Sequence, residues 1–233
     1  PDFSNYAVYK GTDLGLTYTP TQSSFRIWAP SASEGKLILF DKGIESAPIK
    51  EVNMNKDVNG TWTAKLTGNQ KGKYYAFTVK VNDKWMNHVP DPYAKAVGVN
   101  GKRGMIVDLK ETNPAGWSMD KSPAFKHATD AIIYELHVRD ASIGANSGIK
   151  KKGKFVGLAE TKTKSPQGLS TGLDHLKELG ITHVHLLPSY DFTTVNETKL
   201  DSPQYNWGYD PLNYNTPEGS YSTNPYDGVT RIR

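Results

Sequence analysis

Apolar and polar residues alternate with period two through roughly the first half of the chain. Phe25, Ile27 and Ala29 alternate with Arg26 and Trp28. Lys36 to Phe40 is a short apolar run, and Trp62, Ala64 and Leu66 fall on one face. Tyr75, Phe77, Val79 and Val81 alternate over a longer stretch, and Met105, Val107 and Leu109 repeat the pattern. This alternation marks strands buried on one face. Turn-forming stretches separate them, at residues 29–33, 57–60, 68–72, 81–83 and 100–101. Short strands between such turns predict an all-β sandwich over residues 1–115.

Residues 111–130 lack either period, with Pro114, Gly116 and Pro123 as breakers; 116–130 read as a linker, and Trp117 is expected to pack at a domain junction. From residue 131 the pattern changes. Ala131 to Val138 is dense in apolar and β-branched residues, which suits a strand covered on both faces. Leu169, Leu173, Leu176 and Leu179 recur at helical spacing over residues 169–180, with Ser170 or Thr171 as the N-cap and Gly180 as the stop. Ile181 to Leu187 is a second buried strand, ended by Pro188. Strand, helix, strand predicts a parallel pair. The basic cluster Lys150, Lys151, Lys152 and Lys154 reads as a solvated loop, with a phosphate or nucleic-acid patch as the sharper alternative. Residues 189–233 form a long polar and aromatic stretch, and a loop of that size after a parallel strand is usually functional.

The length of 233 residues corresponds to one complete domain and part of another. With 36% apolar residues and 21 glycines a packed core is attainable and global disorder is excluded. No apolar run approaches the ~18 residues of a membrane span, and no signal-peptide pattern opens the chain. The absence of cysteine excludes disulfides, thiolate metal sites and cysteine nucleophiles. The compartment stays open between the cytoplasm and an exported or periplasmic location. A net charge of +4 is too slight to suggest a nucleic-acid partner. Tyr and Trp make up 18 of the 25 aromatics, and such rings suit either a core or an amphipathic ligand such as a sugar.

In parallel α/β folds the active site lies beyond the C-terminal ends of the strands. Asp140 follows the first strand and Asp191 the second. Two carboxylates are what glycoside hydrolysis requires. The blander reading, which we favour, has both acids holding loop backbone or pairing with a base such as Arg139. His137, His183 and His185 lie within the strands and read as hydrogen-bonded fillers, because no acid or histidine falls at a metal-ligand spacing. Dinucleotide, P-loop and serine-hydrolase motifs are absent from the sequence.

The segment Tyr205-Asn206-Trp207-Gly208-Tyr209-Asp210-Pro211 resembles the signature of type I pullulanases, in glycoside hydrolase family 13 (the α-amylase superfamily). Its continuation to Pro225 and the two strands, IIYELHVRDAS (Ile132–Ser142) and GITHVHLLPSYDF (Gly180–Phe192), are similar to the same family. Upstream, FRIWAPSA (Phe25–Ala32), KYYAF (Lys73–Phe77) and DPYAKAVGVNG (Asp91–Gly101) resemble the family-48 carbohydrate-binding module that precedes the barrel in these enzymes.

The resemblance implies a multidomain chain. An N-terminal immunoglobulin-like sandwich over residues 1–115 and a linker over 116–130 would precede the first two or so βα units of a TIM (β/α)8 barrel over 131–233, truncated. It implies hydrolysis of α-1,6-glucosidic bonds in starch or pullulan with retention, by carboxylates that lie beyond this chain, so that the chain alone is inactive. Tyr209 matches the tyrosine that stacks on the sugar where the bond breaks. Asp210 supports it through hydrogen bonds, and Asn206 and Trp207 shape the loop, Trp207 by packing more than by touching substrate. Trp85, in a turn-rich stretch, is the candidate glucan platform on the sandwich. No cofactor is required, and the family analogy allows a structural calcium. The expected partners are an α-glucan and the C-terminal part of the same enzyme, as a second chain or beyond a break after Arg233. The alternatives are a non-catalytic starch- or glycogen-binding protein, or an isoamylase or branching enzyme of the same superfamily.

Overall fold

The computed structural model describes residues 2–233. Its strands in chain order are β1 (Gly15–Thr19), β2 (Gln22–Trp28), β3 (Glu34–Phe40), β4 (Pro48–Asn53), β5 (Asn55–Lys56), β6 (Thr61–Thr67), β7 (Tyr74–Val81), β8 (Lys84–Trp85), β9 (Gly104–Met105), β10 (Ile133–Leu136), β11 (His183–Leu186), β12 (Tyr190–Phe192) and β13 (Pro211–Pro217). The α-helices are short: α1 (Phe155–Leu158), α2 (Gly172–Glu178) and α3 (Gly228–Ile232).

The first nine strands form two antiparallel sheets, β1-β2-β6-β5 and β4-β3-β7-β8, with β9 paired to β7. Phe25, Ile27, Trp62, Ala64 and Leu66 from the first sheet meet Leu37, Leu39, Tyr75 and Phe77 from the second in one core. The period-two pattern of β2 and β6 therefore points the expected residues inward. Phe25, Tyr75 and Phe77 meet edge to face, with ring centroids 5.0, 6.2 and 5.7 Å apart. The Tyr75 hydroxyl would be stranded in this core without a partner. It donates to Asp91 Oδ2 at 2.7 Å, while Asp91 Oδ1 accepts from the Tyr93 amide. Burial raises the Asp91 carboxyl above its ordinary range against the pull of these two donors.

Three expectations for this half need correction. β3 and β7 are buried on both faces, with Ile38, Phe40 and Ala76 forming a second small cluster, so the apolar run at 36–40 is a fully covered strand. The alternation through Met105, Val107 and Leu109 does not continue as a strand. Ile106 is the residue with no exposure, its backbone bonded to Lys73 and Gly72, and Leu109 starts an exposed 3-10 turn where Asp108 accepts from the Lys110 amide. Trp117 is 57% exposed and packs at no junction among the described residues; residues 113–130 are exposed throughout.

In the second half, β10 and β11 pair in parallel, Ile133 opposite His183 and Leu136 opposite Leu186, with α1 and α2 between them in sequence. The expected burial on both faces is not observed: Ile133 is 65% exposed and Val184 44%. Among the described residues each strand has the other as its only partner. Helix α2 is shorter than the leucine spacing suggests, leaving Leu169 and Leu179 exposed. Neither expected hydroxyl caps it. Thr171 Oγ1 donates to the Ser147 carbonyl and Ser170 Oγ to Glu178. β12 and β13 form an antiparallel pair beyond β11.

The shared core predicts where stability resides. Leu37→Ala should cost about 2–5 kcal/mol in urea unfolding, whereas exposed Val58→Ala should change it by less than about 0.5 kcal/mol. Equal midpoints for the two variants would remove Leu37 from the core.

Candidate functional site

The segment between β12 and β13 is an aromatic loop with a polar frame. Asn206 is its hub. Its Nδ2 donates to Asp210 Oδ1 at 2.8 Å and to Thr194 Oγ1, and its Oδ1 accepts from the Gly208 amide at 2.6 Å. Asp210 Oδ2 accepts from Thr193 Oγ1 at 3.0 Å. Burial raises the Asp210 carboxyl, but the amide and hydroxyl donors outweigh it and hold the group below its ordinary range. Gly208 has φ of +92°, and a Cβ there would stand 2.0 Å from the Pro188 carbonyl oxygen, so only glycine allows the approach.

With the polar atoms turned to one another, the rings point out. Tyr205, Trp207 and Tyr209 are 47, 60 and 67% exposed. Tyr205 and Trp207 meet edge to face at 6.3 Å, and the Arg139 guanidinium lies 5.8 Å from the Tyr205 ring. Asn206 and Asp210 thus form the polar frame of the loop. The Trp207 ring faces solvent among the described residues, whereas the resemblance implies packing more than substrate contact. Beside the loop a cavity of about 290 Å³ is lined by Arg139, Lys154, Asp201, Gln204, Asn206 and Tyr221. Trp85 lies elsewhere, at the edge of the second sheet. It is half-buried, with the Lys36 ammonium 4.9 Å from its ring, so one of its faces is partly occupied.

The two acids named from the strand ends have separate partners. Asp140 is exposed and accepts from Arg139 at 2.7 Å, as the blander reading expected. Asp191 is fully buried and paired with Arg231, not Arg139, at 2.9 Å. Around Arg231 the fold assembles Asp191, Glu197 and Glu218, all buried. Sequence reasoning missed this cluster, because residues 191, 197, 218 and 231 show no spacing that singles them out.

Three buried carboxylates with oxygens within 4.8 Å of one another have the hardness a calcium ion prefers. Their six oxygens, however, already accept hydrogen bonds. Asp191 takes Arg231 and Asn213, Glu197 takes the amides of Gly219 and Asn100 together with Arg231, and Glu218 takes the amides of Ser220 and Phe192. A calcium would need 6–8 oxygen ligands, and here the guanidinium fills the role of the cation. These residues do not fit a metal site.

Comparison with known proteins places the chain among carbohydrate-active relatives. Residues 13–94 match the model of carbohydrate-binding module 48, described as the isoamylase N-terminal domain. Over 230 residues the chain is 42% identical to the pullulanase of Bacillus subtilis, covering 98% of this chain and 30% of that protein. The crystal structure of the Paenibacillus barengoltzii pullulanase in complex with maltohexaose and α-cyclodextrin superposes with a TM-score of 0.95 at 52% identity, covering 98% of this chain and 35% of that one. The Bacillus acidopullulyticus pullulanase gives 0.91 at 47%, covering 97% and 27%. The chain therefore spans about a third of the length of the relatives it matches.

The Arg231 cluster carries a pH signature. Burial pushes the Glu197 carboxyl up to about 8, against the attraction of Arg231 and with the charge of Glu218 adding to the rise. Asp191 and Glu218 shift the same way, burial first. The folded state then binds more protons than the unfolded chain between about pH 4.5 and 8. The stabilisation is full below that window and is lost as pH rises through it. Chemical denaturation of the wild type should show stability falling across the window, and Glu197→Gln, which cannot titrate, should show a shallower fall. Equal slopes would place the titration elsewhere.

Proposed function

We propose that this chain, which belongs to the pullulanase family and carries a carbohydrate-binding module 48 over residues 13–94, supplies substrate-binding surface to a debranching enzyme that hydrolyses α-1,6-glucosidic bonds in pullulan and starch. The observation that carries the reading is the aromatic loop. Three exposed rings stand on a polar frame in a chain similar to pullulanases over 98% of its length.

In this reading residues 1–115 form the sandwich module, 116–130 the linker, and 131–233 the start of a (β/α)8 barrel. The exposed faces of β10 and β11 support the last assignment, since barrel strands are covered by neighbours and helices. Hydrolysis proceeds with retention, through a nucleophilic carboxylate and an acid roughly 5 Å apart, contributed by the part of the enzyme outside this chain. Residues 1–233 alone have no glycosidase activity, since Asp140 and Asp191 are engaged with Arg139 and Arg231. Tyr209 covers the apolar face of the glucose at the cleavage subsite. Burying some tens of Å² against that ring contributes about 1–2 kcal/mol.

The module match taken alone would also suit a non-catalytic glucan-binding protein. The loop after β12 favours the enzyme, because a pure binding module has no use for it.

Two experiments in the full-length enzyme test the reading. Tyr209→Ala should lower kcat/KM on pullulan by roughly 10- to 150-fold, with kcat falling as well. An unchanged kcat with only KM raised would remove Tyr209 from the cleavage subsite. Trp85→Ala should weaken β-cyclodextrin binding, measured by calorimetry; unchanged affinity would move glucan binding off this tryptophan.

A further inference from the structure

We propose that His137 is a positioning residue for the substrate loop, its Nε2–H holding the main-chain carbonyl of Asn206 and so setting where Tyr209 stands. The proposal rests on the debranching reading for its consequence in catalysis, but its structural content is independent of that reading.

His137 lies just beyond β10 and is 7% exposed. Its Nε2 is 2.7 Å from the Asn206 carbonyl oxygen and 2.9 Å from the Tyr221 hydroxyl, and its Nδ1 is 3.3 Å from the Asp140 amide nitrogen. Both backbone groups demand the same tautomer. The Asp140 N–H can only donate, so Nδ1 must present its lone pair. The Asn206 carbonyl can only accept, so Nε2 must carry the proton. The Tyr221 oxygen then shares that proton. The opposite tautomer would set a lone pair against the Asn206 oxygen and two N–H groups against each other at Nδ1.

The bond is well placed to control the loop. The side chain of Asn206 is spent inside the loop, on Asp210, Thr194 and Gly208. Its carbonyl is the atom that reaches out of the loop to the end of β10, 69 residues earlier in the chain. The other fixed point is the contact of Gly208 with Pro188 at the end of β11. Two anchors at two strand ends leave the intervening backbone, and the ring three residues beyond Asn206, little freedom.

The imidazole is itself held from behind. The Tyr221 ring meets it edge on at 5.8 Å, and Tyr221 belongs to the buried cluster of Val138, Phe192 and Val195. The Tyr205 ring lies 5.2 Å away on the loop side. The charged neighbours are Arg139 and Asp140, which pair with each other, Asp140 Oδ1 standing 3.8 Å from Nδ1. His137 thus passes the rigidity of the strand end to a loop carbonyl. It touches the loop backbone and no reacting atom.

The test compares His137→Leu and His137→Gln with the wild type in the full-length protein. Leucine fills similar space without a donor, and glutamine can place an N–H near the former Nε2. Three quantities are read: kcat and KM on pullulan, the thermal midpoint, and amide hydrogen exchange across residues 205–211. Leucine should lower kcat by roughly 10- to 100-fold, the scale of a misplaced contact group, and speed exchange across 205–211. Glutamine should restore much of both at a similar midpoint. Wild-type kcat and exchange in the leucine variant would overturn the proposal. So would an equal loss in both variants with a lowered midpoint, which marks a purely structural histidine. If the wild-type protein hydrolyses no pullulan, the debranching reading fails and the exchange measurement alone decides the role of His137.

Discussion

The structure depends on one buried guanidinium. Arg231, in helix α3, donates to Asp191 on β12, to Glu197, and to the carbonyls of Gly98, Pro217 and Pro225. These partners belong to the sandwich, to the strand that leads into the aromatic loop, to that loop itself and to the chain that follows it. A planar fork of five N–H donors can meet such a set, where a lysine ammonium would offer three and a single point of charge. Desolvating a lone guanidinium would be very costly. It is tolerated here because every N–H group it presents meets an oxygen. Removing one partner of a buried pair typically costs 3–5 kcal/mol, since a charge stays behind without compensation. The interaction therefore acts as a requirement on the fold more than as a surplus of stability.

That requirement explains the conformation of residues 98–101. Asn100 adopts φ of +58°, which lets its amide donate to Glu197 while its Oδ1 accepts from the Glu197 amide. Gly101 follows at φ of +61°, and a Cβ there would stand 2.2 Å from Asp191 Oδ2. Backbone and carboxylate touch because nothing lies between them. The Asn213 amide bonds both the Gly101 carbonyl and Asp191, and Asn213 lies on β13, which the aromatic loop leads into. An unbroken run of hydrogen bonds thus joins the sandwich to the loop that carries Tyr209.

How much of this was legible in the sequence follows from the range of each interaction. β2 and β6 are short-range patterns, and their inward faces could be read residue by residue. The aromatic loop was legible as a motif, and its internal bonds join residues within 17 positions of one another, from Thr193 to Asp210. The burial of Ile38 and Ala76 was not, because alternation reports one face and a second face is covered by distant chain. β10 and β11 misled in the opposite direction: their composition is that of covered strands, while the described residues supply no cover. The Arg231 cluster was invisible for a plainer reason. Its acids lie 13 to 40 residues from the arginine, and each looks alone like an ordinary loop carboxylate.

In the proposed reading the aromatic loop is a contact surface whose rings are exposed and whose backbone is held. Exposed rings ordinarily rest on a mobile backbone, and ordering them on a ligand then costs entropy. Here the loop backbone is ordered by groups other than the ring faces. The carbonyl of Asn206 is held by His137, the turn at Gly208 by its fit against Pro188, and the carboxylate of Asp210 by two donors. Each of these constraints acts on backbone or on short polar side chains and leaves the ring faces of Trp207 and Tyr209 unused. The contact of a sugar with such a ring is weak per unit area, so its value depends on how little is lost in forming it. A frame fixed by buried polar geometry, carrying rings chosen for their faces, is the arrangement that loses least.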